Sequence, residues 1–389
     1  MKKAVIATLH SSYNEGAILQ AYALSRLIEE YLGIEAEIID HRYPAKEAIY
    51  GVPASQREMA LSEAIETWLP LSSNQFRTND CTPTFRHISK HNAVLFVGSD
   101  QVWSLKYRRR LRRILGRGIF ATQPYGFYPA FPNIYWPDSK VSVPKISYAA
   151  AVGRYEWQGT PTRHRQKMAR ILDGFKLVSV RDERSLRFLN WIDPSIAANA
   201  TIVPDPTLAV SLLDQKRVDA LRSRLIGYGV DFNRRRCGVV CANHEETAKF
   251  AAAMKKKDFQ LIAITTPNSF CEVNLFDKPF HPLDWALLFG MMDVCVVERM
   301  HAAIFCLHNG TPFVLLDINE TPHDYDTKST SLMKRFGLIE FCLGKKGILA
   351  EGLIDATIGC LENNVQRTTI PKVLNQMRVE ARDFIIRCG

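Results

Sequence analysis

Two arginines and a histidine, far apart in the sequence, each follow a short apolar run that predicts a β-strand. Arg181 follows one such run, and Arg299 and His301, with Met300 between them, follow another. Guanidinium groups bind phosphate or carboxylate through paired hydrogen bonds and stay charged, whereas histidine moves a proton near neutral pH. A helix start at Arg299 would add backbone N–H donors for an anion. This set predicts a site that binds a small anion and transfers a proton.

Polar loops that contain glycine follow two other predicted strands. The loop after the first strand carries Ser11, Asn14 and Gly16, and the loop after the third carries Gly98–Trp103, which includes Ser99, Asp100 and Gln101. In open parallel sheets, ligands bind beyond the carboxyl ends of the strands. We therefore expect both loops to face the site that contains the arginines.

Each of these residues also has an ordinary structural interpretation. Arg181 precedes two acidic residues and could form only an ion pair at a helix start. A lone histidine in an apolar helix more often belongs to the packing, although the place of His301 in the first turn, beside an arginine, favours a functional role. Asp100 could cap a helix, and Trp103 could serve only in packing.

Alternating strands and helices are expected to position these residues. A strand over 3–8, helical spacing from Ala17 to Tyr31 and a strand over 35–40 make a βαβ unit, which predicts a parallel sheet. The further strands expected are 93–97, 145–149, 177–180, 201–203, 237–242, 260–265, 294–297 and 312–316. The further helices expected are 214–226, 245–255, 282–291, 299–309 and 376–387. The sequence therefore predicts an α/β fold with two Rossmann-like, doubly wound parallel-sheet domains that face a central cleft.

The length of 389 residues exceeds what one hydrophobic core usually serves. Pro204, Asp205 and Pro206 interrupt any regular element, so we place the domain boundary near residue 210. The expected organisation is a domain over 1–210, a second domain over 211–375 and a closing helix over 376–389.

Composition restricts the class of protein. The hydrophobic share of 47% and the charged share of 23% are typical of globular proteins, and no apolar run approaches the ~18 residues that span a bilayer. Nine cysteines without a CxxC pair make a disulfide framework unexpected, so we expect a cytoplasmic protein. The net charge of +10 favours an anionic partner, which could be nucleic acid, a phosphorylated small molecule or a membrane surface.

Several strings, taken together and in order, resemble the polysaccharide pyruvyl transferase family. They cover most of the chain from residue 4 to about 340, and as a set they are specific. The strings are Asn14–Leu24 (NEGAILQAYAL), Gly98–Trp103 (GSDQVW), Ser147–Gly153 (SYAAAVG), Val178–Glu183 (VSVRDE), Asp205–Leu208 (DPTL), Glu298–His301 (ERMH) and Gly310–Phe313 (GTPF).

The resemblance implies a GT-B-like enzyme that transfers pyruvate from phosphoenolpyruvate to two hydroxyls of a sugar as a ketal, with release of phosphate. The sugar would belong to a bacterial-type surface polysaccharide or its lipid-linked precursor. The resemblance assigns donor binding to Arg181, Arg299, Met300 and His301 in a cleft whose donor side is the C-terminal domain. It makes His301 the general acid and base, and we expect Arg299 and Asp100 to be catalytic with it. No cofactor and no metal are expected.

The acceptor is expected on the N-terminal side of the cleft. Its expected contacts are Ser11, Asn14, Gly16, Ser99, Asp100, Gln101 and Trp103. Two departures concern this assignment: Glu15 stands where many relatives carry tyrosine, and Ala302 follows the histidine where glycine is common. The first departure places the acceptor contacts in question.

A further departure from the family pattern is the stretch 104–143, which is longer than usual. It carries a basic cluster between Lys106 and Arg117, followed by aromatic residues up to Trp136. Clustered basic residues attract anionic headgroups, and aromatic rings favour the membrane interface. We therefore hypothesise that 106–136 contacts an anionic membrane at its cytoplasmic face or grips a lipid-linked pyrophosphate; the alternative is a solvated basic loop.

Two other functions compete with this interpretation. The same architecture hosts sugar-nucleotide glycosyltransferases, because fold does not determine function. The basic cluster could also bind nucleic acid, but no zinc ligands, recognition-helix pattern or aromatic platform accompanies it, so we expect no nucleic-acid partner.

Overall fold

The chain forms two parallel β-sheets flanked by helices. The computed structural model describes residues 3–105, 107–114, 117–124, 129–153, 155–317, 327–344, 348–362 and 365–389, with only the backbone described in 107–114, 117–124 and 365–368. The predicted fold class, two parallel-sheet α/β domains, is confirmed.

The first domain is built on a seven-stranded sheet. The strands of this half are β1 (Lys3–Ala7), β2 (Ala36–Arg42), β3 (Leu71–Arg77), β4 (Asn92–Asp100), β5 (Tyr107–Ile114), β6 (Arg117–Pro124), β7 (Lys145–Ala150), β8 (Ser179–Val180) and β9 (Thr201–Ile202). The sheet order is β3-β2-β1-β4-β7-β8-β9, with parallel pairing throughout, while β5 and β6 form a separate antiparallel hairpin. The strand order reverses between β1 and β4, which creates a crevice where such sheets bind ligands.

The second domain repeats this arrangement. Its strands are β10 (Arg235–Val240), β11 (Phe259–Ala263), β12 (Val273–Asn274), β13 (Val294–Val297), β14 (Phe313–Asp317) and β15 (Cys342–Gly344). They pair in parallel in the order β12-β11-β10-β13-β14-β15. The reversal falls between β10 and β13, so Arg299 follows a strand at the second crevice.

Helices cover both faces of the sheets. They are α1 (Glu15–Leu32), α2 (Pro44–Tyr50), α3 (Gln56–Thr67), α4 (Thr82–His91), α5 (Thr162–Asp173), α6 (Glu183–Ile192), α7 (Pro194–Asn199), α8 (Pro206–Ala209), α9 (Val218–Gly227), α10 (Glu245–Lys256), α11 (Pro282–Leu288), α12 (Met300–Asn309), α13 (Lys328–Arg335), α14 (Ala350–Glu362) and α15 (Val365–Cys388). No helix among the described residues is long and apolar enough to cross a membrane.

Buried aliphatic strands and one long helix hold the domains together. All four side chains of β13 (VCVV) are buried, as expected for a parallel strand covered on both faces, and burying a valine contributes about 1.5–3 kcal/mol. Helix α15 crosses from the second domain to the first: Leu374 and Met377 pack in the core of the second, and Phe384 and Ile385 in that of the first. The last helix therefore supports both walls of the cleft.

The element boundaries differ from the sequence expectations where the hydrophobic signal is weak. Strand β13 begins and ends as predicted, whereas β3 was not predicted, because its sequence LSSNQFR is mostly polar at the edge of the sheet. The helix expected over 376–387 begins at Val365, and Pro371 lies inside it, where proline argues against a helix. The predicted domain boundary near residue 210 falls between β9 and β10.

The stretch 104–143 is only partly described. The backbone of β5 and β6 forms the hairpin, but the side chains of the basic cluster between Lys106 and Arg117 lie outside the described residues. Tyr135 and Trp136 are buried in the core of the first domain. These two aromatic rings are therefore not available to a membrane surface.

Candidate active site

A cleft of about 500 Å³ lies between the two domains. Its lining includes Asn14, Lys46, Tyr50, Asp100, Gln101 and Arg181 from the first domain. From the second domain it includes Trp285, Glu298, Arg299, Met300, His301 and Lys328. Several of these residues directly follow β4, β8 and β13, so the cleft lies at the carboxyl ends of both sheets.

Arg299 presents an unpaired guanidinium to the cleft. It is the N-cap of α12, so its backbone is extended while Met300 and His301 form the first turn. Among the described residues, no carboxylate lies within ion-pair distance of it. Burial among the cleft walls lowers the pKa of Arg299, although Glu15 and Glu298 oppose this effect. A charged group that is partly desolvated without a partner is well suited to an anionic ligand.

His301 is held from both sides by the first domain. Its Nε2 atom lies 3.7 Å from Oδ2 of Asp205 and is buried without a hydrogen-bond partner among the described residues. Gly16 lies against the opposite part of the ring, where a β-carbon would stand 2.4 Å from Nδ1. Both ring nitrogens therefore face the first domain, Nε2 toward Asp205 and Nδ1 toward Gly16.

Asp205 joins His301 to Arg181. Its Oδ2 accepts a hydrogen bond of 3.0 Å from Nη1 of Arg181, and its Oδ1 accepts from the backbone N–H and the hydroxyl of Thr207. Burial alone would raise the pKa of Asp205, but His301, Arg181 and Thr207 outweigh it and hold this pKa well below its usual range. The carboxylate is therefore a fixed negative charge that orients one cation and faces the imidazole.

Asp100 approaches the same arginine from β4. Its Oδ1 lies 3.9 Å from Nη1 of Arg181, and its backbone has a φ of 76°, in the left-handed region that non-glycine residues rarely adopt. Burial lowers the pKa of Arg181, but the charges of Asp205 and Asp100 outweigh burial and raise it. The acidic residues after Arg181 are engaged elsewhere: Asp182 caps α6, and Glu183 pairs with Arg187. The ordinary interpretation of Arg181, an ion pair with its two acidic neighbours, is not what the structure shows.

The family model of the polysaccharide pyruvyl transferases matches residues 14–320, which is most of the chain. The chain belongs to this family. Polysaccharide pyruvyl transferases are transferases, and the predicted family and enzyme class are confirmed. No curated protein matches the chain.

Solved structures of other proteins share the two-domain fold with this pyruvyl transferase family member. The UDP-N-acetylglucosamine 2-epimerase from Neisseria meningitidis, bound to UDP-GlcNAc, has a TM-score of 0.55 at 10% identity, covering 100% of this chain and 99% of that one. The corresponding epimerase from Methanocaldococcus jannaschii has a TM-score of 0.55 at 11% identity, covering 97% and 99%. Anabaena Alr3699/HepE in complex with UDP has a TM-score of 0.52 at 9% identity, covering 100% and 98%. At these identities the likeness establishes the GT-B-like fold alone.

The structure brings most of the residues expected at the site into the cleft of this transferase. Those that line it are Asn14, Asp100, Gln101, Arg181, Arg299, Met300 and His301. Asn14 also caps α1, since its Oδ1 accepts from the N–H of Ala17.

Four of the expected acceptor contacts do not line the cleft. Ser99 is fully buried, where its hydroxyl contacts Gln20, and Trp103 is fully buried against Trp136, with its indole N–H donating to the carbonyl of Tyr135. Ser11 is half-buried outside the lining, and Gly16 lies behind His301.

Two site residues were missed from the sequence. Asp205 lies three residues after β9, so the rule of strand ends points to it, but the sequence placed it only in the string DPTL of the family resemblance and in a chain break between two prolines. Lys46 lies on α2, whose place beside the cleft depends on tertiary packing. No group of three or more histidine, cysteine, aspartate or glutamate side chains in the described part of the chain is arranged to hold a metal ion.

Proposed function

We propose that the protein transfers pyruvate from phosphoenolpyruvate to two hydroxyls of one sugar, forming a ketal and releasing phosphate. The acceptor is a sugar of a surface polysaccharide or of its lipid-linked precursor. The observation that carries the proposal is the pair at the start of α12, where Arg299, which has no ion-pair partner among the described residues, stands beside His301 in the cleft. The resemblance of this turn to the donor site of the family supports the choice of donor.

The donor has two anionic groups, and the cleft offers matching cations. In the proposed complex Arg299 holds the phosphate, where the N-terminus of α12 adds backbone N–H groups and a favourable dipole. Arg181 directs its remaining N–H groups at the carboxylate, since Asp205 already occupies Nη1. Met300 is buried and packs in the core of the second domain, which keeps the turn in place.

The reaction needs two proton transfers. The first hydroxyl oxygen bonds to the central carbon of the donor while the methylene carbon gains a proton and becomes a methyl group. The C–O bond to phosphate then breaks, and the second hydroxyl oxygen bonds to the same carbon. One of the two hydroxyl protons ends on the methyl group and the other on the released phosphate, so the reaction is balanced without a further reactant.

His301 carries these protons. The carboxylate of Asp205, 3.7 Å from Nε2, stabilises the imidazolium that forms when the ring accepts a hydroxyl proton. Asp100 enters from the first domain and faces the acceptor, where its carboxylate accepts a hydrogen bond from the attacking hydroxyl. The catalytic groups therefore come from both domains.

The test is phosphate release from phosphoenolpyruvate in the presence of glycoside and lipid-linked glycan acceptors. The wild-type protein should release phosphate and yield a ketal detectable by mass spectrometry. His301→Gln should lower kcat by about 10²- to 10⁴-fold, the usual contribution of a general acid or base. His91→Gln, an exposed histidine of α4, is the matched control. If no acceptor in the panel leads to phosphate release from phosphoenolpyruvate, and the protein turns over a sugar nucleotide instead, its function is glycosyl transfer.

A further inference from the structure

Helix α2 brings two side chains into the cleft that the proposed chemistry does not use. Lys46 and Tyr50 are four residues apart, so they lie one above the other on the same helix face, and both line the cleft. The position of α2 after β2 places them on the wall of the first domain.

Lys46 has no ionic partner in the described part of the chain. Burial lowers the pKa of Lys46, and the charge of Asp100 opposes this effect only from beyond ion-pair distance. Asp100 itself approaches Arg181. A desolvated ammonium group without a carboxylate beside it gains most from an anion supplied by a ligand.

Tyr50 offers a half-buried aromatic ring beside this ammonium group. The edge-to-face contact with Tyr13, with ring centroids 5.7 Å apart and an interplanar angle of 89°, fixes the orientation of the ring. Aromatic faces bind the apolar faces of sugar rings, and a phenol needs little conformational ordering to do so. The pair combines a surface for a sugar ring with a cation for its substituent.

The position of α2 is stabilised from outside the cleft. Glu47, next to Lys46 on the helix, pairs with Arg77 of β3 and lies 3.9 Å from Arg42 of β2. These contacts tie the helix to two strands of the sheet. Lys46 and Tyr50 are therefore presented from a fixed position rather than from a loose loop.

Lys46 and the donor cation Arg181 follow strands that are not neighbours in the sheet. In the sheet order, four strand spacings separate β2 from β8, which is about 19 Å between the strand ends. His301 contacts the first domain at Gly16 and Asp205, which lie on other elements of the cleft. This separation favours an acceptor role for α2 over a second donor contact.

We propose that Lys46 and Tyr50 form an acceptor subsite that selects a glycan carrying an acidic sugar, either a uronic acid or a phosphate-substituted residue. Tyr50 packs against the sugar ring, and Lys46 pairs with its anionic group. This inference rests on the proposed function, since it names the class of acceptor for the same cleft.

The test uses two disaccharides that differ in one group. In one, the sugar next to the reacting residue is a neutral hexose; in the other it is the corresponding hexuronic acid. Calorimetric titration of the full chain, without donor, should show wild type binding the acidic disaccharide at least about tenfold more tightly than the neutral one. Lys46→Met should abolish this preference and Lys46→Arg should retain most of it, whereas Tyr50→Ala should weaken both ligands.

The controls separate this inference from the proposed function. Lys90→Met removes an exposed lysine of α4 and should keep the preference for the acidic disaccharide. Equal affinity of wild type for the two disaccharides overturns the subsite, even when phosphoenolpyruvate is turned over. The subsite is also overturned if Lys46→Met raises the KM for phosphoenolpyruvate more than it raises the Kd for the acidic disaccharide. That result would assign Lys46 to the donor site. If phosphoenolpyruvate is not turned over but wild type still binds the acidic disaccharide more tightly than the neutral one, only the proposed function is overturned.

Discussion

The backbone of Gly16 lies directly against the imidazole of His301, with room for a hydrogen but not for a methyl group. A β-carbon at position 16 would stand 2.4 Å from Nδ1 and 2.5 Å from Cγ of the ring. Gly16 belongs to α1 of the first domain and His301 to α12 of the second, so the contact crosses the cleft. Glycine is thus required here by close approach across the domain interface rather than by backbone conformation.

Gly16→Ala should displace His301 while leaving the helix intact, because alanine is the better helix former. We expect kcat to fall by about 10²-fold, the effect of a misplacement of roughly 1 Å at a catalytic group. The measurement is steady-state phosphate release, with Gly227→Ala in α9 as the control, since a β-carbon there meets open space. Full activity in Gly16→Ala would show that the ring tolerates displacement.

Asp205→Asn should destabilise the protein and slow the reaction. It removes the closer of the two carboxylates beside the buried Arg181 and leaves only Asp100 at 3.9 Å, which costs up to about 3–5 kcal/mol of unfolding free energy, and it removes the negative charge facing His301. Because the pKa of Asp205 is lower in the folded state, its contribution is fully present above pH ~4 and is lost as the pH falls below that value. In urea unfolding, the difference in unfolding free energy between wild type and Asp205→Asn should therefore become smaller below pH ~4.

Asp355→Asn, at an exposed position of α14, is the control for that experiment and should leave unfolding unchanged. If the difference in unfolding free energy between wild type and Asp205→Asn is the same at every pH, the contacts with Arg181 and His301 do not stabilise the ionised form of the Asp205 carboxyl.

Arg299→Lys tests whether donor binding depends on the guanidinium shape or on its charge. Lysine keeps the charge but loses the planar fork that binds phosphate through two hydrogen bonds. We expect the KM for phosphoenolpyruvate to rise by about tenfold or more, the effect of losing one charge-assisted hydrogen bond. Arg86→Lys, an exposed arginine of α4, provides the comparison. An unchanged KM would remove Arg299 from the donor site.

The rule of strand ends located much of this cleft from the sequence, and its failures have physical causes. It brought Arg181, Arg299 and Asp100 together because the carboxyl ends of both sheets meet at the interface. The rule of strand ends does not indicate which residues of a loop face the cleft. Asp100 points into it, with a φ of 76°, while Trp103, three residues later, points into the core.

Other parts of the site depend on contacts that no local pattern encodes. Lys46 reaches the cleft because Glu47 ties α2 to Arg77 on β3, a polar edge strand without hydrophobic periodicity. Glycine is needed at position 16 because His301, far along the chain in the other domain, packs against it. Such relationships become visible only when the two domains are packed together.

A second histidine of α12 also links the domains. His308, seven residues after His301 and so on the same helix face, donates from Nε2 to the carbonyl of Thr207 over 2.6 Å. Thr207 in turn donates to Asp205, which faces His301. One face of α12 therefore rests on the segment that begins α8, and the orientation of His301 depends on this contact.

The contact makes stability sensitive to acid. Burial lowers the pKa of His308 to about 4, against ~6.5 in an unfolded chain, so between these values the unfolded chain binds a proton that the folded one does not. The contribution of His308 to the unfolding free energy should therefore be fully present above pH ~6.5 and should decline as the pH falls toward 4. His308→Gln keeps an N–H donor for Thr207 but does not titrate. From pH 7 to pH 5, wild type should lose about 2 kcal/mol more unfolding free energy than this variant.

His41 is also buried, and its pKa is likewise lowered to about 4, so His308→Gln should retain part of the acid sensitivity rather than lose all of it. His91→Gln, at an exposed position, should follow wild type at both pH values. Urea unfolding at pH 7 and pH 5 measures wild type and the two variants on one scale. If His308→Gln loses as much stability as wild type over this range, the pKa of His308 does not differ between the folded and the unfolded chain, and the link between α12 and α8 would not depend on a neutral imidazole.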